Sequence, residues 1–316
     1  MTPPHSDPRA SRDNLPLAIG SILFSVLALS LGDALIKLTS SSFALWQIFF
    51  LRSLIAIPVL LILHRLSGKG ASLRPIRGVW TILRSLLLVV MWVIYYTALP
   101  HLQLPVAAAA FYTLPFFITL FSALLLGDKI SRVGWIAVAI GFVGILLILQ
   151  PSASDFSVYA LLPLISAMLY ALAMILTRSK CQGEHPMTLA VGLNVSFVVV
   201  GGVMSLLVSL SPNATDGGFF LSQWSPMSGL AWLAMTILAT SILIGSLGAA
   251  IAYQKGPPAI VGIFDFAYVG FAVIWGVVII GEVPSMGAFA GIALITMAGA
   301  LSVKRKSPDA KSAPGL

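Results

Sequence analysis

Residues 104–128 read LPVAAAAFYTLPFFITLFSALLLGD, and residues 258–282 read PAIVGIFDFAYVGFAVIWGVVIIGE. Each is an apolar run ended by a glycine and a carboxylate. A bilayer core asks for about 20 apolar residues per helix. Backbone polar groups in lipid must also be satisfied within the segment, which a helix does. Each stretch therefore predicts a membrane-spanning helix. Outward from them the same texture fills the chain, with spans expected at 16–38, 44–64, 78–98, 104–126, 133–150, 157–177, 187–210, 229–253, 258–281 and 286–303. Composition agrees: 59% of the 316 residues are hydrophobic and 9% charged, and the mean hydropathy is +1.01. The connections are too short to house a function, so whatever the protein does is expected to happen inside the membrane.

The formal charge of +8 would point to nucleic acid in a soluble chain. Here its placement matters more than its sum. With the N-terminus set in the cytoplasm, 15 of the 18 Lys and Arg residues fall in cytoplasmic loops and tails, and Lys37, Arg52 and Arg84 fall within spans. That asymmetry is the positive-inside rule and predicts both termini on the cytoplasmic side. The first apolar run is too long for a cleaved leader and has no small-residue cleavage site. Cys181 is the single cysteine, which excludes an intrachain disulfide. Asn213-Ala214-Thr215 has the form of a glycosylation sequon in an outer loop, a pattern that also arises by chance.

The two quoted stretches are in register: Gly127-Asp128 and Gly281-Glu282 lie 154 positions apart. Around them Tyr95-Tyr96-Thr97-Ala98 matches Ala252-Tyr253-Gln254-Lys255, and Lys37 at the end of span 1 matches Arg178 at the end of span 6. Five spans per half is an odd number, so the second half enters the membrane from the opposite face. Inverted repeats of this kind place a binding site near the midplane between the halves. The expected layout is a cytoplasmic tail (1–15), a first repeat (16–150), a second repeat (156–303) and a basic tail (304–316).

The chain resembles the drug/metabolite transporter superfamily, in particular its EamA-type ten-helix members. The resemblance rests on Asp33-Ala34-Leu35-Ile36-Lys37, Arg84 through Tyr95-Tyr96-Thr97-Ala98-Leu99, and Phe111-Tyr112-Thr113-Leu114-Pro115. It continues through Leu126-Gly127-Asp128 and Gly281-Glu282-Val283-Pro284, with Gly291 and Gly299 beyond. It covers about residues 16–303, and it departs at Asp128, where the family pattern has Glu. It implies a secondary transporter of small organic metabolites with a central cavity lined by helices 1, 3, 4, 6, 8 and 9, helices 5 and 10 standing at the periphery.

Within the spans the ionisable residues are Asp33, Lys37, Arg52, Arg84 and Asp265. An isolated charge at mid-bilayer costs at least about 2.5–3.5 kcal/mol, so such groups face inward and pair. Arg84 and Asp265 both lie roughly 9–10 Å in from the cytoplasmic end at 1.5 Å per residue. They are expected to pair across the repeats, with snorkelling of Arg84 as the plain alternative. Arg52, roughly 12 Å from the outer end, is expected to pair with Asp33. Lys37 shares a helical face with Asp33, and its place near the outer end favours an interface anchor. The aromatic candidates are Trp92, Tyr95, Tyr96, Phe111, Tyr112, Tyr170, Phe264, Phe266 and Tyr268; of these Tyr112, Tyr170 and Tyr268 lie further inside, where a hydroxyl needs a partner. An interface belt accounts for Trp46, Trp80, Trp135 and Trp232, and Tyr95 and Tyr96 are open to the same explanation. Pro58 and Pro115 are expected to bend spans 2 and 4.

His5, His64, His101 and His185 all fall in loops or at termini, and there is no Walker-type loop, so neither a metal cluster, a cofactor nor an enzyme site is expected. The fold expected is an all-α membrane protein of ten transmembrane helices in two inverted five-helix repeats. The function expected is alternating-access transport of a small amino-acid-like, vitamin-like or drug-like metabolite, with export preferred and proton coupling through Asp33 or Asp265. Uptake of a vitamin or nucleoside-like compound, or a non-transporting scaffold, are the alternatives. Asp33, Arg84, Tyr96, Tyr112, Tyr170, Phe264, Asp265 and Tyr268 form the expected binding set, with Lys37 and Arg52 as structural or coupling charges. A bacterial inner-membrane monomer is expected, with dimerisation through Gly287 and Gly291 as the alternative.

Overall fold

The computed structural model describes residues 14–66, 73–127, 132–149, 158–211 and 218–282, with scattered positions between 286 and 297. Every regular element among them is helical. They are α1 (Leu15–Thr39), α2 (Leu45–Leu66), α3 (Gly78–Ala98), α4 (Leu104–Phe111), α5 (Leu114–Leu126), α6 (Arg132–Leu149), α7 (Leu161–Ser179), α8 (Pro186–Ser209), α9 (Gly218–Leu221), α10 (Gly229–Lys255), α11 (Pro258–Asp265) and α12 (Ala267–Trp275). Eight helical stretches are long and apolar enough to cross a bilayer, so the chain is an all-α, multi-pass membrane protein. The expected tenth span is described only at scattered positions, Gly287 and Gly291 among them, and most of it lies outside the described residues. So do Asp128, the sequon and both tails.

Local signals place the ends. Asn14 caps α1, its Oδ1 accepting from Leu17 N at 3.1 Å, and Ser228 caps α10 by accepting from Ala231 N. Pro186 opens α8 in the first turn, where its missing N–H costs nothing. Outward-facing side chains are apolar and exposed, among them Phe24, Leu54, Ile82, Leu206 and Leu230. That is the surface a lipid-embedded helix presents.

Small residues let helices of the two halves of the chain meet closely. A Cβ on Gly248 of α10 would stand 2.7 Å from Ser21 O of α1, and one on Gly201 of α8 would stand 3.0 Å from the α2 backbone at Trp46 O and Phe50 N. Ser25 Oγ donates to Gly245 O at 2.8 Å. The first three helices thus each pack on a later one: α1 on α10, α2 on α8, α3 on α7. Without a hydrophobic drive between helices in lipid, such close approach supplies the packing energy.

Two spans are broken. The fourth divides at Tyr112-Thr113 into α4 and α5, because Pro115 cannot donate back to the carbonyl one turn earlier. The ninth divides at Phe266 into α11 and α12, then continues through a π-helical turn at Gly276–Ile280. Both end on a left-handed glycine, Gly127 (φ 72°) and Gly281 (φ 77°), a backbone state that disfavours any side chain. Pro58 leaves α2 uninterrupted.

Candidate functional site

The two breaks and three unbroken helices, α1, α3 and α10, bring the buried acids and their phenols together. Asp33, 1% exposed, comes from α1; Asp265, 2% exposed, is the last residue of α11. Among the described residues neither meets a cation within ion-pair distance; phenols donate to their oxygens instead. Tyr96 of α3 donates to Asp33 Oδ1 at 2.8 Å, and Tyr268 of α12 donates to Asp33 Oδ2. Tyr112, at the end of α4, donates to Asp265 Oδ1 at 3.1 Å, and Tyr253 of α10 donates to Asp265 Oδ2 at 2.7 Å. Tyr95 OH lies 3.3 Å from Tyr268 OH. A buried carboxyl unpaired by cations is tolerable only when its lone pairs are filled in this way.

Asp33, Tyr112, Tyr170, Asp265 and Tyr268 line one internal crevice with Trp92, Tyr95 and Phe111. Its empty volume is about 310 Å³, but only about 10 Å³ of that can be occupied by the centre of a water, near the threshold for a single molecule. The site is closed upon itself.

The remaining expectations divide. Tyr96 reaches the site through Asp33, while Phe264 is half-buried packing outside the crevice wall. The Arg84–Asp265 pair does not form. Arg84 Nε donates to Thr177 Oγ1 at 2.7 Å and Nη1 to Leu189 O at 3.5 Å. Equal depth says nothing about direction: α3 packs on α7 and α8, whereas α11 packs on α5 and α1. Asp33 and Arg52 do not form an ion pair either. The Arg52 guanidinium sits 4.7 Å from the ring centres of both Phe49 and Phe197, and 6.0 Å from Tyr96. Lys37 turns away from Asp33 and pairs with Glu282 Oε1 at 2.8 Å. Trp46, Tyr95 and Tyr96 are buried in the core rather than set in a belt, whereas Trp80, Trp135 and Trp232 are exposed. Tyr253, which completes the Asp265 site, was not among the expected residues.

The family described as "EamA-like transporter family" matches residues 16–150. A riboflavin transporter of Rhizobium johnstonii is 31% identical to this chain over 92% of it and 90% of the relative. The chain belongs to the EamA-like transporter family. A pseudopaline exporter, CntI of Pseudomonas aeruginosa, is 28% identical over 90% of this chain and 96% of its own. An S-adenosylmethionine uptake transporter of Rickettsia bellii is 23% identical over 75% and 74%. A crystal structure of a protein with 19% identity aligns over 92% of this chain and 96% of its own with a TM-score of 0.69, which shows a shared fold. Family membership places the chain among transporters rather than enzymes.

In this EamA-type transporter, two polar seams tie helix ends together, one at each end of the bundle. At one end Lys37 joins Glu282 and donates to Leu102 O, while Glu282 Oε2 accepts from Leu104 N at 2.8 Å. The carboxylate thereby ties α1 and the end of the ninth span to the positive N-terminus of α4. At the other end Glu184 accepts from Ile76 N (2.9 Å) and Arg77 N (2.6 Å) at the start of α3. Gln254 donates to Cys181 O and Glu184 O, both at 2.8 Å, and Arg178 donates to Gln254 O.

Proposed function

We propose that the protein is a secondary transporter that carries a small organic metabolite across a bacterial inner membrane by alternating access. Its ten helices form two inverted repeats, 16–150 and 156–303, with both termini in the cytoplasm. The breaks in the fourth and ninth spans support the duplication. Tyr112 and Phe266 are 154 positions apart, as are the left-handed Gly127 and Gly281.

One observation carries the proposal: two buried acids, one from each half, share a single crevice and are held by phenols rather than by cations. Tyrosine hydroxyls can leave a carboxylate for a substrate without stranding a partner charge. The substrate would replace those hydroxyls on Asp33 and Asp265 with its own polar groups, and Tyr112, Tyr170, Tyr96 and Tyr268 would flank it. The described conformation is the occluded one. Opening the Lys37–Glu282 seam admits solute from one side, and opening the Glu184–Gln254 seam admits it from the other. Protons, where coupled, pass through Asp33 or Asp265, the carboxylates within the spans.

Relatives are named for riboflavin, for pseudopaline export and for S-adenosylmethionine uptake, which supports a small-metabolite solute and both directions of transport. The near absence of water space also suits a packed scaffold. A metabolite library screened by thermal shift on purified protein separates the two, because a ligand that binds the folded state raises its melting temperature. A transporter gives at least one hit that Asp33→Asn and Asp265→Asn each weaken and that proteoliposomes of the wild type accumulate. No hit, or hits untouched by both substitutions, contradicts the proposal.

A further inference from the structure

Arg52 is 2% exposed, yet among the described residues its Nε and Nη2 have no hydrogen-bond partner. These two nitrogens share one edge of the guanidinium, where their N–H bonds run parallel. That edge is the fork that grips a carboxylate or phosphate with two hydrogen bonds. Phe49 and Phe197 stand 4.7 Å from the guanidinium carbon and hold the cation by its π contacts. Rings accept nothing in the plane of the fork. The Asp33 carboxylate does not answer it: each of its oxygens accepts from a phenol, Tyr96 or Tyr268, and neither reaches the Arg52 Nε or Nη2. By contrast Arg84 donates to Thr177 and Leu189, and Lys37 to Glu282 and Leu102.

An orphaned fork on a fixed, buried cation is costly unless something occupies it. The seam that holds it has a further unmet polar atom. Gly201 of α8 lies against Phe50 of α2, and Phe197 against Phe49 and Arg52. This antiparallel register brings Asn194 to the next turn, and its Oδ1 is also without a partner. Tyr96 then links the fork to the crevice, lying 6.0 Å from the guanidinium on one side and bonded to Asp33 on the other.

We propose that Arg52 is a binding subsite for an oxyanion, a carboxylate or phosphate group borne by the transported molecule, clamped edge-on by the guanidinium between Phe49 and Phe197. This rests on the transport proposal and narrows its substrate class to anionic metabolites. The molecule spans from this fork past Tyr96 to the Asp33 wall of the crevice.

The test is thermal unfolding of the purified full-length protein with benzoate, its neutral isostere benzamide, and inorganic phosphate. Wild type is expected to gain a saturable rise in melting temperature with benzoate or phosphate and none with benzamide. Arg52→Lys keeps the charge but loses the fork, and is expected to weaken the anion's apparent affinity by about tenfold or more. Arg52→Gln abolishes the response. Each variant is read against its own anion-free midpoint; should Arg52→Gln not fold, the Lys variant decides. An equal response to benzoate and benzamide, an unchanged response in Arg52→Lys, or no response of wild type to either anion overturns the assignment. If neutral library compounds nonetheless bind in a manner dependent on Asp33 and Asp265, the anion subsite falls while the transport proposal stands; if nothing binds, both fall.

Discussion

Tyr112 and Tyr268 stack with ring centres 5.1 Å apart and 28° between their planes, and their hydroxyls go to different acids, Tyr112 to Asp265 and Tyr268 to Asp33. One ring ends α4 and the other lies at the start of α12, so the stack joins the two broken spans at their breaks. Separating the halves here parts this ring pair, at about 0.5–1.5 kcal/mol beyond area burial, together with the Tyr112–Phe266 ring contact and the hydrogen bonds to Asp265 and Asp33. A solute that takes over the hydrogen bonds of the two acids offsets most of that loss.

Removing one phenol while keeping its ring isolates the hydrogen bond. Tyr253→Phe leaves Asp265 Oδ2 without its donor, and Tyr268→Phe does the same to Asp33 Oδ2. Each is expected to destabilise the protein by about 1–3 kcal/mol, the cost of an unmet buried polar atom. Denaturant unfolding in detergent reads this, and wild-type stability in both variants would show the hydroxyls to be idle.

Helix spacing makes a paired forecast. Gly248→Ala drives a methyl to within 2.7 Å of Ser21 O, a backbone atom that moves only if α1 moves. A loss of about 1–3 kcal/mol is expected from overpacking. Gly20→Ala on α1 meets nothing within 4 Å and should be neutral or gain up to about 1 kcal/mol from helix propensity. Equal effects of the two substitutions would contradict the close α1–α10 packing.

The Lys37–Glu282 pair is partly exposed, so solvent screens it. Glu282 also caps α4 through Leu104 N. A double-mutant cycle with Lys37→Met and Glu282→Gln is expected to give a coupling of about 0.5–3 kcal/mol, with Glu282→Gln the costlier single change. Strict additivity would mean that the two side chains act independently.

Cys181 gives a built-in reporter at the opposite end. It lies between α7 and α8, and burial pushes its thiol above the ordinary range. Less thiolate at neutral pH means slow maleimide labelling, which should keep rising as pH climbs past the usual thiol midpoint. Gln254→Leu removes the hydrogen bonds that hold the Cys181 and Glu184 carbonyls and should speed labelling several-fold. Rapid labelling of wild type at neutral pH would contradict a closed seam.

Span lengths and end glycines were legible because lipid imposes a minimum apolar run and a left-handed cap favours glycine; Gly127 and Gly281 stand where the sequence puts them. The break in the fourth span is written in Pro115. The ninth contains no proline past Pro258, and its break at Phe266 is visible only by carrying Tyr112 across the 154-residue register. Depth along a helix was readable for Arg84, but direction around it was not, since that depends on which neighbour α3 faces. The phenol shells of Asp33 and Asp265 were half legible. Tyr112 and Tyr268 read as buried hydroxyls and Tyr96 was open to an interface belt, whereas Tyr253 entered only through the repeat match at the expected end of its span. In the structure α10 runs on to Lys255, which keeps Tyr253 within the core.

Alternation of access is tested by placing a thiol in the crevice wall one helical turn from Asp33. Leu29 lines it, so Leu29→Cys in a Cys181→Ser background, in oriented vesicles, is labelled with a small membrane-impermeant thiosulfonate from each face in turn. Labelling from both faces, with a bound ligand that closes the crevice slowing both, is expected. A thiol that stays unlabelled from either face, with or without ligand, would mark a solid core and contradict solute passage.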